Sequence, residues 1–129
     1  MRPETNLWIE KANQDAKTVE ILIQSKEGPP EIICFHCQQA AEKFLKAFLI
    51  DKNIDFPRTH DLLMLIEKYI LPFDGTFHEV ITSATEITGY ATSTRYPDLD
   101  DEFDINAAHE AYQAMTEIKA FILGKICNE

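Results

Sequence analysis

Apolar residues recur at intervals of three and four along most of this 129-residue chain, which is the pattern of amphipathic helices. No segment of comparable length alternates with a period of two, and no internal repeat is visible. Proline and glycine cluster at four places that divide the chain into five helical segments: Gly28-Pro29-Pro30, Asp55-Phe56-Pro57, Pro72-Phe73-Asp74-Gly75 and Tyr96-Pro97-Asp98. We therefore predict an all-α fold, an up-and-down antiparallel bundle of four long helices plus one short helix, forming a single domain over residues 1–129.

The spacing of apolar residues also places the individual helices. The first has a predicted inward stripe of Trp8, Ala12, Asp15, Ala16, Val19, Leu22 and Ile23. The second, from about Glu31 to Asp51, is the most apolar and is predicted to be central. A third, short helix is expected from His60 to about Ile70 with Thr59 as its N-cap. The fourth runs from Phe77 to Ala91. β-branched residues crowd Val80 to Thr94 and leave a strand there as an alternative. The fifth helix follows the acidic stretch that ends at Asp104.

Charge is divided unequally along the chain. It has 22 acidic and 12 basic residues, a net charge of −10. Residues 1–60 carry a net charge of −1 and residues 61–129 a net charge of −9. The acidic excess disfavours non-specific binding along duplex DNA. The cations of the first half still permit a small phosphate ligand, an RNA end or a basic protein partner.

No apolar run approaches the length of a membrane span, and the first 25 residues contain too many charges for a secretory signal. The three cysteines Cys34, Cys37 and Cys127 are an odd number in a chain long enough to form a core without disulfides. We predict a cytoplasmic protein with no membrane association. Cys34 and Cys37 are expected to be small buried side chains, with redox or metal chemistry as the alternative.

The second helix carries a polar stripe opposite its apolar side, because four polar residues follow one another at steps of three, four and three: His36, Gln39, Lys43 and Lys46. Two interpretations are open. The stripe is either a solvated surface, whose lysines are balanced by Glu42 and Asp51, or a face that binds an anionic ligand.

Two further segments are candidates for binding. Arg58-Thr59-His60-Asp61 joins a cation, a hydroxyl and an imidazole at a predicted helix start, where free backbone amides favour an anion. Arg95-Tyr96-Pro97-Asp98 holds the only basic residue between Lys68 and Lys119. In each segment the alternative is local, a helix cap in the first and a salt bridge in the second.

Metal and cofactor motifs are not found. The acids after Arg95 lack the glycine and the distal glutamate of a calcium loop, so we predict no metal site. The sequence has no glycine-rich phosphate loop and no conventional catalytic motif, and no cofactor is predicted.

Three stretches together resemble the HEPN domain family, whose name refers to nucleotide binding in higher eukaryotes and prokaryotes. They are the run from Cys37 to Leu49, the run from Arg58 to Leu62 together with Leu65, and the run from Tyr90 to Pro97. The resemblance extends over essentially the whole chain. It implies an α-helical bundle, commonly a homodimer, often encoded beside a small nucleotidyltransferase as a toxin–antitoxin module.

The resemblance implies further that many proteins of this family are metal-independent ribonucleases, in which four to six residues separate an arginine from a histidine. This chain departs from that pattern, because Asp100, Asp101 and Glu102 occupy the corresponding positions after Arg95. A carboxylate there could not donate a proton to a leaving 5′-oxygen at neutral pH unless its pKa were strongly raised.

Two functional hypotheses follow. The first is a homodimeric binding module for a nucleotide, a small nucleotidyltransferase partner or both, with these ligand-binding residues: His36, Gln39, Lys43, Lys46, His60, Arg95 and Tyr96. The lysines and Arg95 would hold phosphate, Tyr96 would stack on a base, and Gln39 and His60 would orient the ligand. The alternative is a ribonuclease in which a dimer combines Arg95 with His60 or His36. A purely structural oligomerisation domain is a third possibility.

Overall fold

The computed structural model describes residues 2–88 and 104–127, and every regular element within these ranges is helical. The long helices are α1 (Pro3–Ser25), α2 (Pro30–Asp51) and α5 (Ile105–Cys127). The short helix α3 starts as an α-helical turn, Leu62–Met64, and continues as a π-helical segment, Leu65–Ile70. A 3₁₀ segment, Gly75–Val80, leads directly into α4, Ile81–Ile87. These elements confirm the predicted all-α helical bundle.

The helices α1 and α2 form an antiparallel hairpin. Each begins with a proline in its first turn, where the missing N–H costs no intrahelical hydrogen bond. Lys26 ends α1 in the left-handed conformation with φ 61°, which turns the chain toward α2 within a few residues. The start of α1 is fastened to the end of α2, because Arg2 Nη1 donates to the Ile50 carbonyl at 2.5 Å.

The central position predicted for α2 is confirmed, since it packs against both α1 and α5. Its apolar side is completely buried, and its aromatic rings continue the core toward the other helices. The Phe48 ring centroid lies 4.6 Å from that of Phe77, which in turn lies 4.9 Å from that of Phe121. These contacts connect α2, the 3₁₀ segment and α5 in one aromatic cluster.

The start of α3 differs from the prediction, because Asp61 and not Thr59 is its N-cap. The Asp61 carboxylate accepts a hydrogen bond from the Met64 backbone N–H at 3.1 Å. Thr59 Oγ1 instead accepts from the Asp61 N–H at 3.1 Å, one step earlier. Asp61 has an extended backbone immediately before the helix, which is the conformation that an N-cap requires.

The predicted fourth helix is described only as far as Thr88. Its opening turns are 3₁₀-helical, with the Asp74 carboxylate accepting from the Thr76 N–H at 3.0 Å. The alternative of a strand is wrong for Val80 to Thr88, which is helical up to Ile87. Ala91, at the predicted end, lies outside the described residues.

The two cysteines of α2 are buried and unbonded to other sulfurs, as the sequence predicted. The side chain of Cys127 lies outside the described residues. Across the described ranges, no helix combines the length and apolarity that crossing a bilayer requires.

Candidate ligand-binding site

The polar stripe of α2 faces α1 and the α2–α3 loop (residues 52–61), and it is not a solvated surface. Lys46 is buried, and the other three side chains are partly buried. Every charged member of the stripe is paired with a carboxylate. The pairs form two separate clusters along the helix.

The Asp15 cluster consists of Asp15 on α1 with His36 and Lys43 on α2. Asp15 Oδ1 lies 2.9 Å from His36 Nδ1, and Asp15 Oδ2 lies 2.6 Å from Lys43 Nζ. Gln39 is on the same stripe between the two cations, and its buried Oε1 has no hydrogen-bond partner among the described residues. The Asp15 cluster therefore links α1 to α2 and uses the charge of Lys43 within the protein.

The Glu42 cluster consists of Glu42 and Lys46 on α2 with His60 in the α2–α3 loop. Glu42 Oε1 lies 2.8 Å from His60 Nδ1, and Glu42 Oε2 lies 2.9 Å from Lys46 Nζ. The side chains of Glu42 and Lys46 are 6% and 9% exposed, whereas that of His60 is 58% exposed. The Glu42 cluster is thus a buried ion pair that holds an exposed imidazole.

Two aromatic rings flank the buried ion pair. Lys46 Nζ lies 5.8 Å from the centroid of Trp8 and 5.9 Å from that of Phe56. Burying an ion pair costs desolvation energy that only good geometry offsets, and ring faces attract a cation at this distance. Lys46 is therefore held in place by the carboxylate and both rings.

The backbone of the α2–α3 loop is held against α2 at His60. Gln38 Nε2 donates to the His60 carbonyl at 2.8 Å. Gln38 is fully buried, and its Oε1 has no hydrogen-bond partner within the described part of the chain. His60 is consequently fixed both through its main chain and through its ring.

This arrangement determines which nitrogen of His60 can meet a ligand. A carboxylate only accepts hydrogen bonds, so Nδ1 of His60 carries the hydrogen and donates to Glu42. Nε2, on the far side of the ring, is left for a ligand. The exposed Arg58 and the half-buried Phe56 lie in the same loop, so a cation and an aromatic ring are both near the imidazole in the chain.

The structure divides the residues that the sequence predicted for one site. His36 and Lys43 belong to the Asp15 cluster, and Lys46 and His60 belong to the Glu42 cluster. Arg95 and Tyr96 lie outside the described residues. Thr88 Oγ1 accepts from the Leu62 N–H at 3.2 Å, so α4 ends beside the start of α3.

Sequence reasoning missed the two carboxylates that organise the clusters. Asp15 had a usable signal, because it is a charged residue within the apolar stripe of α1 and so had to face another helix. The interpretation of the stripe as a solvated surface has Glu42 balancing a lysine; Glu42 does pair with Lys46, one helical turn later, but the pair is buried. The roles of Gln38, Trp8 and Phe56 had no local signal, since each depends on a tertiary contact.

Acidic residues of the second half line a groove elsewhere on the molecule. This groove, of about 350 Å³, lies between α5 and the segment from the 3₁₀ turns to α4, and its glutamates are Glu79, Glu86, Glu110 and Glu117. It would repel an anionic ligand. Within residues 2–88 and 104–127, no group of three His, Cys, Asp or Glu side chains is arranged to hold a metal ion.

The described elements form an all-helical bundle with two paired polar clusters, and comparison with known proteins identifies its family. The model of the HEPN domain matches residues 5–126, so the chain belongs to the HEPN domain family. No curated protein matches the sequence significantly.

Two solved structures are similar over nearly their whole length. The crystal structure of TT1696 from Thermus thermophilus has a TM-score of 0.83 at 25% identity, covering 96% of this chain and 99% of that chain. The crystal structure of ST0689, an archaeal HEPN homologue, has a TM-score of 0.76 at 24% identity, covering 98% and 99%. The likeness to ST0689 shows the fold alone.

Proposed function

We propose that this HEPN-family protein is a nucleotide-binding module whose ligand contacts the Glu42 cluster and the α2–α3 loop. The observation that carries the proposal is the exposed His60 ring held by the buried Glu42 carboxylate at 2.8 Å. An exposed side chain normally samples several rotamers, so fixing one from both its ring and its backbone favours a binding role.

The ion pairs indicate which cations are available for phosphate. Lys43 and Lys46 are neutralised by Asp15 and Glu42, so phosphate binding by these lysines would have to compete with a carboxylate. Arg58 is exposed, and its guanidinium suits bidentate binding of a phosphate. We assign the phosphate to Arg58, the base to the face of Phe56, and an orienting contact to His60. Arg95 and Tyr96 remain additional proposed ligand-binding residues, predicted from the sequence.

Calorimetric titration of the full chain with AMP tests this assignment. His60→Ala and Arg58→Ala should each weaken AMP binding about fivefold or more, since each removes a polar or charged contact. His109→Ala is the matched control, because His109 is an exposed histidine on α5, and it should leave the affinity unchanged. Arg95→Ala tests in the same way whether Arg95, a ligand-binding residue predicted from the sequence, contacts AMP. Equal affinities for all these variants would contradict the assignment, and an absence of AMP binding by the parent would contradict the proposal.

We also propose a homodimer and a small nucleotidyltransferase as partners, on the basis of family membership. Light scattering on the purified chain tests the dimer, and co-purification with a nucleotidyltransferase encoded beside it tests the partner. A monomer at all concentrations would contradict the first of these proposals.

The pair of His60 and Glu42 also supports a second candidate function, a metal-independent ribonuclease. A histidine whose Nδ1–H is held by a carboxylate can accept a proton at Nε2, which is the arrangement of general bases. Of the two histidines considered from the sequence, His60 is the more exposed, at 58% against 30% for His36. Incubation with RNA in chelator should then give cleavage that His60→Ala and Arg95→Ala both abolish. Cleavage that survives both substitutions, or no cleavage by the parent, would contradict this function.

A further inference from the structure

We infer that Glu42 is the positioning residue of this site. It fixes the Nδ1–H tautomer of His60 and leaves Nε2 as an acceptor for the 2′-hydroxyl of a ribonucleotide. The statement about the tautomer stands on the structure alone, and the statement about the ligand rests on the proposed function.

The Glu42 carboxylate is well suited to this role because it cannot rotate away. It is 6% exposed, and each of its oxygens has a separate partner, His60 Nδ1 at 2.8 Å and Lys46 Nζ at 2.9 Å. Lys46 is itself confined between the rings of Trp8 and Phe56. Moving the His60 ring away would leave one oxygen of a buried carboxylate without its partner, which is costly.

The backbone contact of Gln38 fixes the distance between the ring and α2. Because Gln38 Nε2 holds the His60 carbonyl at 2.8 Å, the loop cannot slide along the helix while the ring stays in place. Glu42 and Gln38 lie one turn apart on α2, so one helix face sets both the main chain and the side chain of His60.

The Asp15 cluster is an internal comparison with the same local geometry. Asp15 also gives one oxygen to a histidine Nδ1 and the other to a lysine. His36, however, is 30% exposed, and its ring packs edge-on against Phe35 with centroids 5.4 Å apart. The histidine of the Glu42 cluster is therefore the more exposed of the two, at 58%.

The orientation of His60 selects the ligand group that meets it. A neutral imidazole with Nδ1–H presents only a lone pair at Nε2, which matches a donor and not an ionised phosphate oxygen. Within a nucleotide, the ribose hydroxyls and the amino groups of the base are such donors. The 2′-hydroxyl is the group that distinguishes a ribonucleotide from its deoxy form.

The tautomer is measured first, without any ligand. Nitrogen-15 NMR of the full chain at pH 8, above the ordinary range of imidazole titration, should show His60 with a protonated Nδ1 and an unprotonated Nε2. In a Glu42→Met/Lys46→Met variant, which replaces the buried ion pair by apolar groups of similar size, His60 Nδ1 loses its acceptor, so both tautomers of His60 should be populated while His36 stays unchanged. An unchanged His60 signal in that variant would overturn the inference. If the variant does not fold, the parent still decides, because an Nε2–H tautomer of His60 in the parent would overturn it.

The proposed contact with the ligand is tested by comparing the affinities of the protein for AMP and 2′-deoxy-AMP. The parent should bind AMP about fivefold more tightly, the scale of one hydrogen bond. His60→Asn, whose amide can still donate to Glu42, should bring the ratio close to one. Equal binding of the two probes by the parent, with both weakened by Arg58→Ala, would overturn the ligand statement and leave the proposed function standing. Binding of neither probe would overturn the proposed function together with the proposed ligand contact. The NMR measurement of the His60 tautomer would still test the role of Glu42.

Discussion

Single carboxylates decide how the polar residues of α2 are used. Asp15 and Glu42 each hold one histidine and one lysine, so the cations of the stripe are engaged within the protein. The difference between the clusters is the exposure of the histidine. Asp15 therefore joins two helices, and we propose that His60 contacts the ligand.

The buried thiols of α2 allow a prediction for individual residues. Burial and the nearby Asp104 carboxylate raise the pKa of Cys34 to about 11, and burial raises the pKa of Cys37 well above its ordinary value. Because the thiolate is the reactive form, both cysteines should be alkylated by iodoacetamide at pH 8 only very slowly in the native protein. They should react rapidly in denaturant. Peptide mass spectrometry distinguishes them from Cys127, and rapid native labelling of Cys37 would contradict its burial.

The contact between α1 and α2 depends on an ionic link as well as on apolar packing. Asp15→Asn removes the charge that both His36 and Lys43 face, and leaves the partly buried Lys43 without its carboxylate. We expect the free energy of unfolding to fall by about 1–2 kcal/mol, measured by urea denaturation. Glu10→Gln is the matched control, because Glu10 is an exposed acid on the same helix, and it should change stability by less than about 0.5 kcal/mol. Equal effects of the two substitutions would contradict the role of the Asp15 cluster.

The 3₁₀ segment is joined to α5 by a link that depends on pH. A hydrogen bond from Lys125 and further hydrogen bonds from Thr76 hold the pKa of Asp74 below its usual value. A lowered pKa in the folded state stabilises the protein above the unfolded value near 4, and the effect is lost as pH falls through the folded value. Asp74→Asn should therefore lower stability at pH 7 by less than about 1 kcal/mol, since the pair is partly exposed. The difference from the parent should shrink in acid denaturation below pH 4, and a difference that grows there would contradict this link.

At the scale of the whole molecule, periodicity predicted the helices well because it depends on local spacing. The sequence placed α2 from Glu31 to Asp51, and the structure begins it one residue earlier at Pro30. The cap of α3 was wrong because Thr59 and Asp61 both suit an N-cap, and the backbone conformation decides between them. The π-helical segment Leu65–Ile70 and the 3₁₀ segment Gly75–Val80 depend on tertiary packing that spacing does not encode.

The candidate site was only partly predictable for the same reason. Helical spacing correctly placed His36, Gln39, Lys43 and Lys46 on one face. The pairing of that face with Asp15 spans 21 and 28 residues, and the pairing of Glu42 with His60 spans 18 residues. Contacts over such separations form only when the helices pack, so the local spacing of residues in the sequence does not reveal them.

The distribution of charge over the molecule leads to the most direct test. Acids of the strongly negative second half, residues 61–129, line the groove between α4 and α5. The Glu42 cluster and the loop residues of the proposed site belong to residues 1–60, whose net charge is close to zero. Backbone amide shifts of the nitrogen-15-labelled full chain, recorded during titration with AMP, locate the ligand without any substitution. We expect the largest changes on the Glu42 cluster and on residues 56–60. Changes centred on the acidic groove, or no changes at millimolar AMP, would contradict it.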